Sequence, residues 1–357
     1  MDAPAAAARF LEAPDPAAFD ETARSVFAFQ YAHVPPYRRL CEHRGVHPEA
    51  VTDWREIPPV PTAAFQHVRL TSGDPVRIFR TSGTSETRRG EHALPDLGLY
   101  RRSWKGPFCA AVLPDRRRMA MVSLVPSEAE LPDSSLAFMI ARAAETLAEG
   151  PVLEAMSPRT GLDFDALRAG FETAAARGEP LLLLGTAFAF VHLLDRCERE
   201  GIAFVLPEGS RIMDTGGFKG RSREVARGEL LAAYRERLGI PETHVVSEYG
   251  MTELCSQFYE PVLADRISGN RAADGGRVFV GPPWVRTRVL DPETLAELRP
   301  GEPGLLCHFD LANAWTVSAV LTEDLGVAAG RGFRVLGRAR GAELRGCSLA
   351  AEAILER

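Results

Sequence analysis

Apolar positions follow three different rhythms along the chain. Near the N-terminus Phe27, Tyr31 and Val34 fall at i, i+4 and i+7, which predicts that the first fifty residues are helical with this stripe buried, ending at Pro35-Pro36. Ile57-Pro-Pro-Val-Pro61 reads as an extended connector. Val76 to Arg80 alternates apolar and polar, as a strand does, and leads into a hydroxyl-rich loop; Pro95 to Trp104 then reads as a helix. Met119 to Val125 and Leu181 to Leu184 are short apolar runs of the kind that make buried parallel strands, and each precedes a helical pattern such as Phe188 to Glu200. This alternation predicts an α/β sheet covered by helices on both faces. The Gly/Arg-rich stretch 214–228 reads as a long loop. After about residue 270 the rhythm becomes strand-like at Arg277 to Val280, Val285 to Leu290, Gly304 to Phe309 and Ala314 to Leu321, which predicts a smaller β subdomain. No internal repeat or low-complexity linker interrupts the pattern.

Composition narrows the class. The 357 residues are 45% hydrophobic and 25% charged, a globular profile with enough length for a large core. A formal net charge of −6 argues against a general nucleic-acid binder, so Arg116-Arg117-Arg118 reads as a solvated face. The sequence holds no run of 18 apolar residues, and no membrane span is expected. It opens Met-Asp-Ala-Pro without a basic stretch followed by an apolar one, so no secretory signal is expected. The six cysteines are scattered with no Cys-x-x-Cys pair, which fits a reducing cytoplasm better than a disulfide framework or a metal site.

The candidate chemistry lies in six short segments. Thr81-Ser82-Gly83-Thr84-Ser85 follows a predicted strand; its glycine lets successive N–H groups turn the same way, and its hydroxyls add donors, as a phosphate nest requires. It is not a Walker loop, and taken alone it is better explained as an ordinary turn. Arg88 and Arg89 offer charge for a triphosphate, or are solvated loop residues. Gly216-Gly217 lies in the long loop. In Ser247 to Glu253, Tyr249 can stack on a base, Gly250 permits close approach, and Thr252 and Glu253 can reach phosphate and Mg2+ oxygens; otherwise this is a turn after Val245-Val246 with Tyr249 packed. Asp324 in Thr322-Glu-Asp-Leu-Gly326 is an acceptor suited to two ribose hydroxyls, or a turn aspartate before Gly326. Gly337-Arg338 and Gly346-Cys347 complete the set. Gly185 and Thr186, just after a strand, are expected near an acyl pocket because a glycine there opens space; His192 either faces that pocket or packs on its helix.

Cys347 has a local argument of its own. Ser348 is a good N-cap for an amphipathic helix over Leu349 to Leu355, and Arg345 lies two residues back; both favour thiolate. The competing reading is a small buried cysteine, which suits Cys41, Cys109, Cys197, Cys255 and Cys307 better. Cys255, near Glu253, is the second candidate thiol.

Taken in order, these segments resemble the adenylate-forming superfamily of acyl-CoA synthetases. More narrowly the chain resembles the LuxE-type acyl-protein synthetases, through Phe27-Ala-Phe-Gln-Tyr31, Ile57 to Phe65, Phe79 to Ser85, Asp310-Leu-Ala-Asn313, Thr322 to Gly326 and Gly337 to Leu349. The resemblance implies an adenylation core over residues 1–336, with the β-rich subdomain about 270–336, and a tail 337–357 in place of the superfamily's C-terminal domain. It implies that the 81–85 loop binds phosphate, that Gly216-Gly217 and Tyr249 serve the adenine, that Thr252 and Glu253 serve Mg2+-ATP, that Asp324 holds the ribose and that Arg338 is the hinge arginine. Two departures stand out. The phosphate loop runs Ser85-Glu86-Thr87-Arg88-Arg89, with an arginine where the superfamily has a lysine, and twenty residues after Gly337 are too few for a domain. The family pattern makes Cys347 the built-in acyl acceptor. The implied activity is ATP-dependent activation of a carboxylic, fatty-type acid to acyl-AMP, transfer to the cysteine, and delivery to a partner such as an acyl reductase. Delivery to CoA, a carrier protein or an amine without an acyl-enzyme is the alternative; a non-catalytic subunit of a reductase complex is the alternative of another class.

Overall fold

The computed structural model describes residues 2–82, 88–216, 225–270 and 276–339. The N-terminal stretch forms helices α1 (Ala3–Glu12), α2 (Phe19–His33) and α3 (Pro35–His43). It is not one helix: Pro35 and Pro36 end α2 and open α3, where the missing N–H is not needed. Phe27 and Val34 are buried, whereas Tyr31 is half-buried with its hydroxyl 3.1 Å from His47 Nδ1. Next come β1 (Val60–Pro61), β2 (Arg77–Arg80), β3 (Glu91–Leu94) and α4 (Gly98–Val112), the last running past the expected end and through Pro107. There follow β4 (Ala120–Leu124), α5 (Ser135–Leu147), β5 (Leu153–Glu154), β6 (Met156–Ser157), β7 (Gly161–Leu162), α6 (Phe164–Arg177), β8 (Leu181–Thr186), α7 (Ala187–Glu200), β9 (Arg211–Thr215), α8 (Arg227–Leu238) and β10 (Val245–Tyr249). The last elements are β11 (Phe258–Tyr259), α9 (Val262–Ser268), β12 (Val285–Leu290), β13 (Gly304–Asp310), β14 (Ala319–Ala329) and β15 (Gly332–Arg338). The chain divides into two compact units, one of residues 1–107, 251–258 and 280–357, the other of 108–250 and 259–279.

The second unit is the α/β sheet that the middle of the sequence predicts. Its six strands run in the order β11-β10-β9-β8-β4-β5, with β5, β4, β8, β9 and β10 parallel. Continuous runs such as Leu181 to Leu184 are buried because helices α6, α7 and α8 supply Phe171, Phe190, Leu194 and Tyr234 to the same core. The chain steps from β4 out to β5 and returns to pair β8 with β4 on its other edge. The carboxyl ends of β4 and β8 therefore form the switch point of the sheet.

The first unit is built on β14. One edge of this strand pairs with β13, antiparallel; the other edge pairs first with β1, at Val320 and Leu321, and then with β15, from Asp324 onward. The proline-rich connector is thus also a parallel strand, tolerable because its two residues pair at a sheet margin. Two strand expectations shift. Ala314 to Ser318 is loop and the strand begins at Ala319, because Asp310 caps a short 3-10 turn at Leu311–Asn313. Arg277 to Val280 forms only bridges at 279 and 280.

A buried amide orders this unit. Gln30 donates through Nε2 to the carbonyls of Asn313 (3.0 Å) and Ala314 (3.3 Å) and to Ser318 Oγ (3.0 Å), while its Oε1 accepts from Ser318 N–H at 3.2 Å. Gln30→Leu keeps the volume and orphans these groups. We expect it to destabilise the protein by roughly 2–4 kcal/mol, read as a lower urea midpoint at unchanged m-value. A midpoint like that of the parent would show that these bonds contribute little.

Candidate active site

In the first unit, the hydroxyl-rich loop closes the β2–β3 hairpin. Sequence analysis did not predict β3. Thr81 and Gly90 make its last rung: Thr81 N–H donates to the Gly90 carbonyl (3.0 Å) and Thr81 Oγ1 accepts from Gly90 N–H (2.8 Å). A Cβ on Gly90 would lie 3.1 Å from Thr81 Cγ2 and 3.4 Å from Phe65 Cβ, so glycine lets the base of the loop close tightly. Arg89 ties it further by donating to the carbonyls of Thr81 and Arg80. Ser82 is exposed, and Gly83, Thr84 and Ser85 lie outside the described residues. Beside the hairpin is a cavity of about 560 Å3 lined by Arg69, Arg80, Arg88, Arg89 and a single carboxylate, Glu91. Burial alone would raise the Glu91 carboxyl, but hydrogen bonds from Arg69 (3.0 Å) and Arg80 (2.9 Å) hold it below the usual range. Arg88, exposed, has no hydrogen-bond or ion-pair partner among the described residues. Four guanidiniums against one carboxylate give the cavity an excess of positive charge.

The Thr252–Glu253 segment is held rigidly within the same unit. The buried His92 sits 2.7 Å through Nδ1 from the Thr252 carbonyl and 3.0 Å through Nε2 from Thr316 Oγ1, and burial lowers its pKa to about 4, so it is neutral. Asn313 Nδ2 donates to the Glu253 carbonyl (2.8 Å), and Asn313 Oδ1 accepts from Cys255 N–H (2.8 Å). Asp310 accepts from Cys255 N–H, Ser256 Oγ and Ala312 N–H, while burial raises its pKa to about 6. The Glu253 side chain is buried. Cys255, the second candidate thiol, is 1% exposed, and burial with the nearby Asp310 pushes its pKa well up, which suits packing rather than nucleophilic attack.

Asp324 and Arg338 face each other as a rung of β14 and β15, with Arg338 Nε donating to Asp324 Oδ1 at 3.3 Å and Arg338 Nη2 3.6 Å from Glu323. Thr322 Oγ1 accepts from Asp324 N–H (3.0 Å) and donates to the Leu306 carbonyl (2.8 Å). A Cβ on Gly326 would meet the Arg334 carbonyl at 2.7 Å, so the motif's glycine admits β15 against β14. Gly346 and Cys347 lie outside the described residues.

In the second unit, Gly216 turns the chain off the end of β9 at φ +73°, a conformation that disfavours side chains, and nothing lies within 4 Å of a Cβ there. Gly217 lies outside the described residues. Tyr249 ends β10, half-buried, with its ring 5.7 Å from that of Phe279; Gly250 is exposed. Behind them is a buried polar cluster that the sequence reading missed. Asp214 accepts from Arg227 Nη1 (2.5 Å), Tyr234 OH (3.1 Å) and Ser247 Oγ (2.8 Å), and Glu260 accepts from Arg277 Nη2 (2.6 Å). Glu248, 5% exposed, accepts from the Thr215 hydroxyl; burial raises its pKa to about 7. The available signal was an acid at each of two adjacent strand ends, Asp214 before Thr-Gly-Gly and Glu248 before Tyr-Gly; nothing in the sequence singled out Arg227.

The expected space at Gly185 is filled. A Cβ there would lie 2.9 Å from the Phe190 ring and 3.0 Å from Leu124 Cβ, so this glycine, near the switch point, admits an aromatic ring rather than opening a pocket. Thr186 caps α7 by accepting from Ala189 N–H at 3.1 Å, and His192 is exposed with its ring 4.4 Å from Phe188.

The first unit thus offers an arginine-lined cavity, a Thr-Glu segment held by buried hydrogen bonds and an Asp–Arg rung; the second offers a glycine turn and an aromatic strand end. The fold is that of the adenylate-forming ligases: a 2-hydroxyisobutyryl-CoA ligase, solved in an open conformation with 2-HIB-AMP and CoA, superposes over 91% of this chain and 79% of its own, with TM-score 0.61 and 14% identity. ATP-bound MatB from Rhodopseudomonas palustris matches at TM-score 0.49 and 19% identity over 73% of this chain, which spans about half (47%) of that enzyme. The chain belongs to the acyl-protein synthetase family LuxE, whose model matches residues 17–355. Membership makes it an enzyme of the acid-activating ligase class. Two relatives are named long-chain-fatty-acid--luciferin-component ligase. The one from Vibrio harveyi is 25% identical over 91% of this chain and 85% of its own, and that from Aliivibrio fischeri 24% identical over 86% and 78%. Among the described residues no helix is long and apolar enough to cross a membrane.

The Glu248 carboxyl, at about 7 in the folded protein against 4.5 ordinarily, makes the folded state bind more protons between those values. Stability from this group is full below about 4.5 and is lost as pH rises through about 7, by up to roughly 3 kcal/mol. Glu248→Gln should flatten this slope and be relatively more stable at pH 8. Urea titrations across pH read the difference, and parallel curves for variant and parent would contradict it.

Proposed function

We propose that this chain uses ATP to convert a carboxylic acid, of the long-chain fatty type that its relatives' names give, into acyl-AMP and then takes the acyl group onto Cys347. The observation that carries the reading is the Asp324–Arg338 rung, which puts the two residues matched to the ribose aspartate and the hinge arginine side by side at 3.3 Å. Family membership and the order of the six segments support it.

The roles follow from the chemistry of each group. Thr81, Ser82 and the loop through Ser85, with Arg88, Arg89 and the arginines of the cavity, offset phosphate charge. Gly216, Gly217, Tyr249 and Gly250 serve the adenine, and Asp324 accepts from the ribose hydroxyls. Among the described residues no three His, Cys, Asp or Glu side chains gather as a metal cage. Mg2+ carried by a triphosphate needs only one or two protein carboxylates, which Glu253 and its neighbour Thr252 fit. Bound there, the ion would neutralise charge on phosphate oxygens. A carboxylate oxygen of the acid attacks the α-phosphorus; the new P–O bond forms as the bond to the pyrophosphate oxygen breaks. The Cys347 thiolate then attacks the acyl carbonyl carbon, forming C–S as the C–O bond to AMP breaks. Gly185, Thr186 and His192 remain the proposed acyl-side residues, with Thr186 and His192 the better placed because Gly185 is packed. The acyl group passes on to an acyl reductase or carrier protein in a reducing cytoplasm, where a free thiol persists.

Acid-dependent exchange of labelled pyrophosphate into ATP is expected of the protein. Cys347→Ser should retain that exchange and lose the hydroxylamine-labile acyl-protein adduct seen by intact mass. An adduct that persists in this variant would move the acceptor elsewhere.

Asp324→Ala should raise the KM for ATP by the equivalent of roughly 1.5–3 kcal/mol, with the unfolding midpoint little changed because the Arg338 partner is 61% exposed. An unchanged KM would leave Asp324 as a strand-pairing residue only.

A further inference from the structure

A second cavity, of about 180 Å3, opens in the first unit and is lined by none of the residues given a role above. Arg44, Arg55 and Arg288 reach it, with Ile57, Leu290 and Leu295 among its apolar walls. Two of the three guanidiniums are engaged. Arg288 donates to Glu297 (2.9 Å) and to the Arg55 carbonyl (2.8 Å), and Arg55 pairs with Asp53 at 3.3 Å. The one lining carboxylate, Glu56, is spent on the N–H groups of Thr52 (2.7 Å) and Asp53 (3.3 Å). Arg44 differs. It is half-buried at the end of α3, burial lowers its pKa, and among the described residues its guanidinium has no hydrogen-bond or ion-pair partner. Arg44 is therefore the lining guanidinium left available to an anion that enters the cavity, partly screened from water by its surroundings.

The wall carries a second, independent mark. Leu295 sits at φ +57°, the one non-glycine residue among those described in the left-handed region, within a turn held by Asp291. Leucine is a poor residue for that conformation, and such strain persists where the surroundings fix it, ligand clamps among them. Here it places a branched side chain on the cavity wall, packed against the Leu290, Leu305 and Leu321 cluster.

We propose that this cavity binds a small carboxylate with an apolar tail, its head paired to the Arg44 guanidinium and its tail against Ile57, Leu290 and Leu295. A planar fork matches a carboxylate in two parallel bonds. The apolar walls favour a tailed acid over inorganic phosphate, and a volume below the roughly 300–1,000 Å3 of drug-sized pockets limits the tail to a short one. The site does not depend on the adenylation reading.

The test is photolabelling of the full chain with a diazirine-bearing hexanoate, followed by peptide mapping. Adducts are expected in the peptides carrying Ile57 to Pro59 and Leu290 to Leu295. Hexanoate should compete them away, and hexanol and inorganic phosphate should not. Arg44→Gln should weaken labelling at these peptides about tenfold or more, while acid-dependent pyrophosphate exchange stays at the parent rate. Labelling confined to other peptides would overturn the site, and competition by phosphate as strong as by hexanoate, or by hexanol as strong, would overturn the ligand class. The competition pattern is read on the parent protein, so it stands even if Arg44→Gln folds poorly; absence of pyrophosphate exchange in the parent, with its labelling pattern as expected, would fault the adenylation reading and not this one.

Discussion

The first unit depends on one side chain, the amide of Asn313. Its nitrogen holds the Glu253 carbonyl and its oxygen holds the Cys255 N–H, so it clamps both sides of the Thr-Glu segment. Its own backbone carbonyl is held by Gln30 from α2. An asparagine can do this because it presents donor and acceptor a fixed distance apart, and a buried loop such as 310–318 needs every such group satisfied. Asp310, three residues earlier, adds Cys255 N–H and Ser256 Oγ from the other side. Two stretches on which the family resemblance rests, Phe27 to Tyr31 and Asp310 to Asn313, are therefore two halves of one clamp. Its output is the fixed position of Thr252 and Glu253.

The partner change along β14 does for Asp324 what the clamp does for Glu253. Val320 and Leu321 are committed to β1, and pairing with β15 begins at Asp324. Between them, the Glu323 carbonyl accepts from Ala339 N–H at 2.8 Å, which carries the β15 side of that edge one residue further. On the opposite edge, where the pairing of β13 with β14 shifts register between Leu305 and Cys307, Thr322 Oγ1 accepts from the Asp324 N–H and donates to the Leu306 carbonyl. An aspartate at such a point is fixed by its backbone while its side chain stays 17% exposed, which suits an acceptor that must meet a ligand.

How much of this was legible in the sequence depended on whether the signal was local. The strands at 181–184 and 285–290 and the helix at 188–200 were plain, because period and burial agree there. The hairpin partner Glu91 to Leu94 was not. It is four residues long with a glutamate and a histidine in it, and its histidine is buried only because Thr252 and Thr316 meet both ring nitrogens. Ala314 to Ser318 looked like the start of a strand because its residues are as buried as a strand's, yet their hydrogen bonds go to Gln30 and Asn313. Gly185 was misread for the same reason: a glycine after leucines signals missing volume, and only the structure tells that Phe190 supplies it. The segments with chemistry were found by composition and order, whereas the residues that hold them, Gln30, His92, Asp214 and Arg227, act through contacts far apart in sequence.

Asp214 and Glu248 are both buried on neighbouring parallel strands but are given different partners. Asp214 accepts from an arginine, a tyrosine hydroxyl and a serine hydroxyl. Glu248 receives the Thr215 hydroxyl, which lowers its pKa too little to offset burial, so it rests near 7. A carboxyl there that is half protonated at neutral pH can donate as well as accept. It also adds less negative charge beside Tyr249 than an ordinary glutamate would. If that strand end receives the base of a nucleotide, the adjacent acid is then a smaller source of repulsion toward the polyanion, and this electrostatic reason favours burying Glu248 with one hydroxyl rather than with a cation.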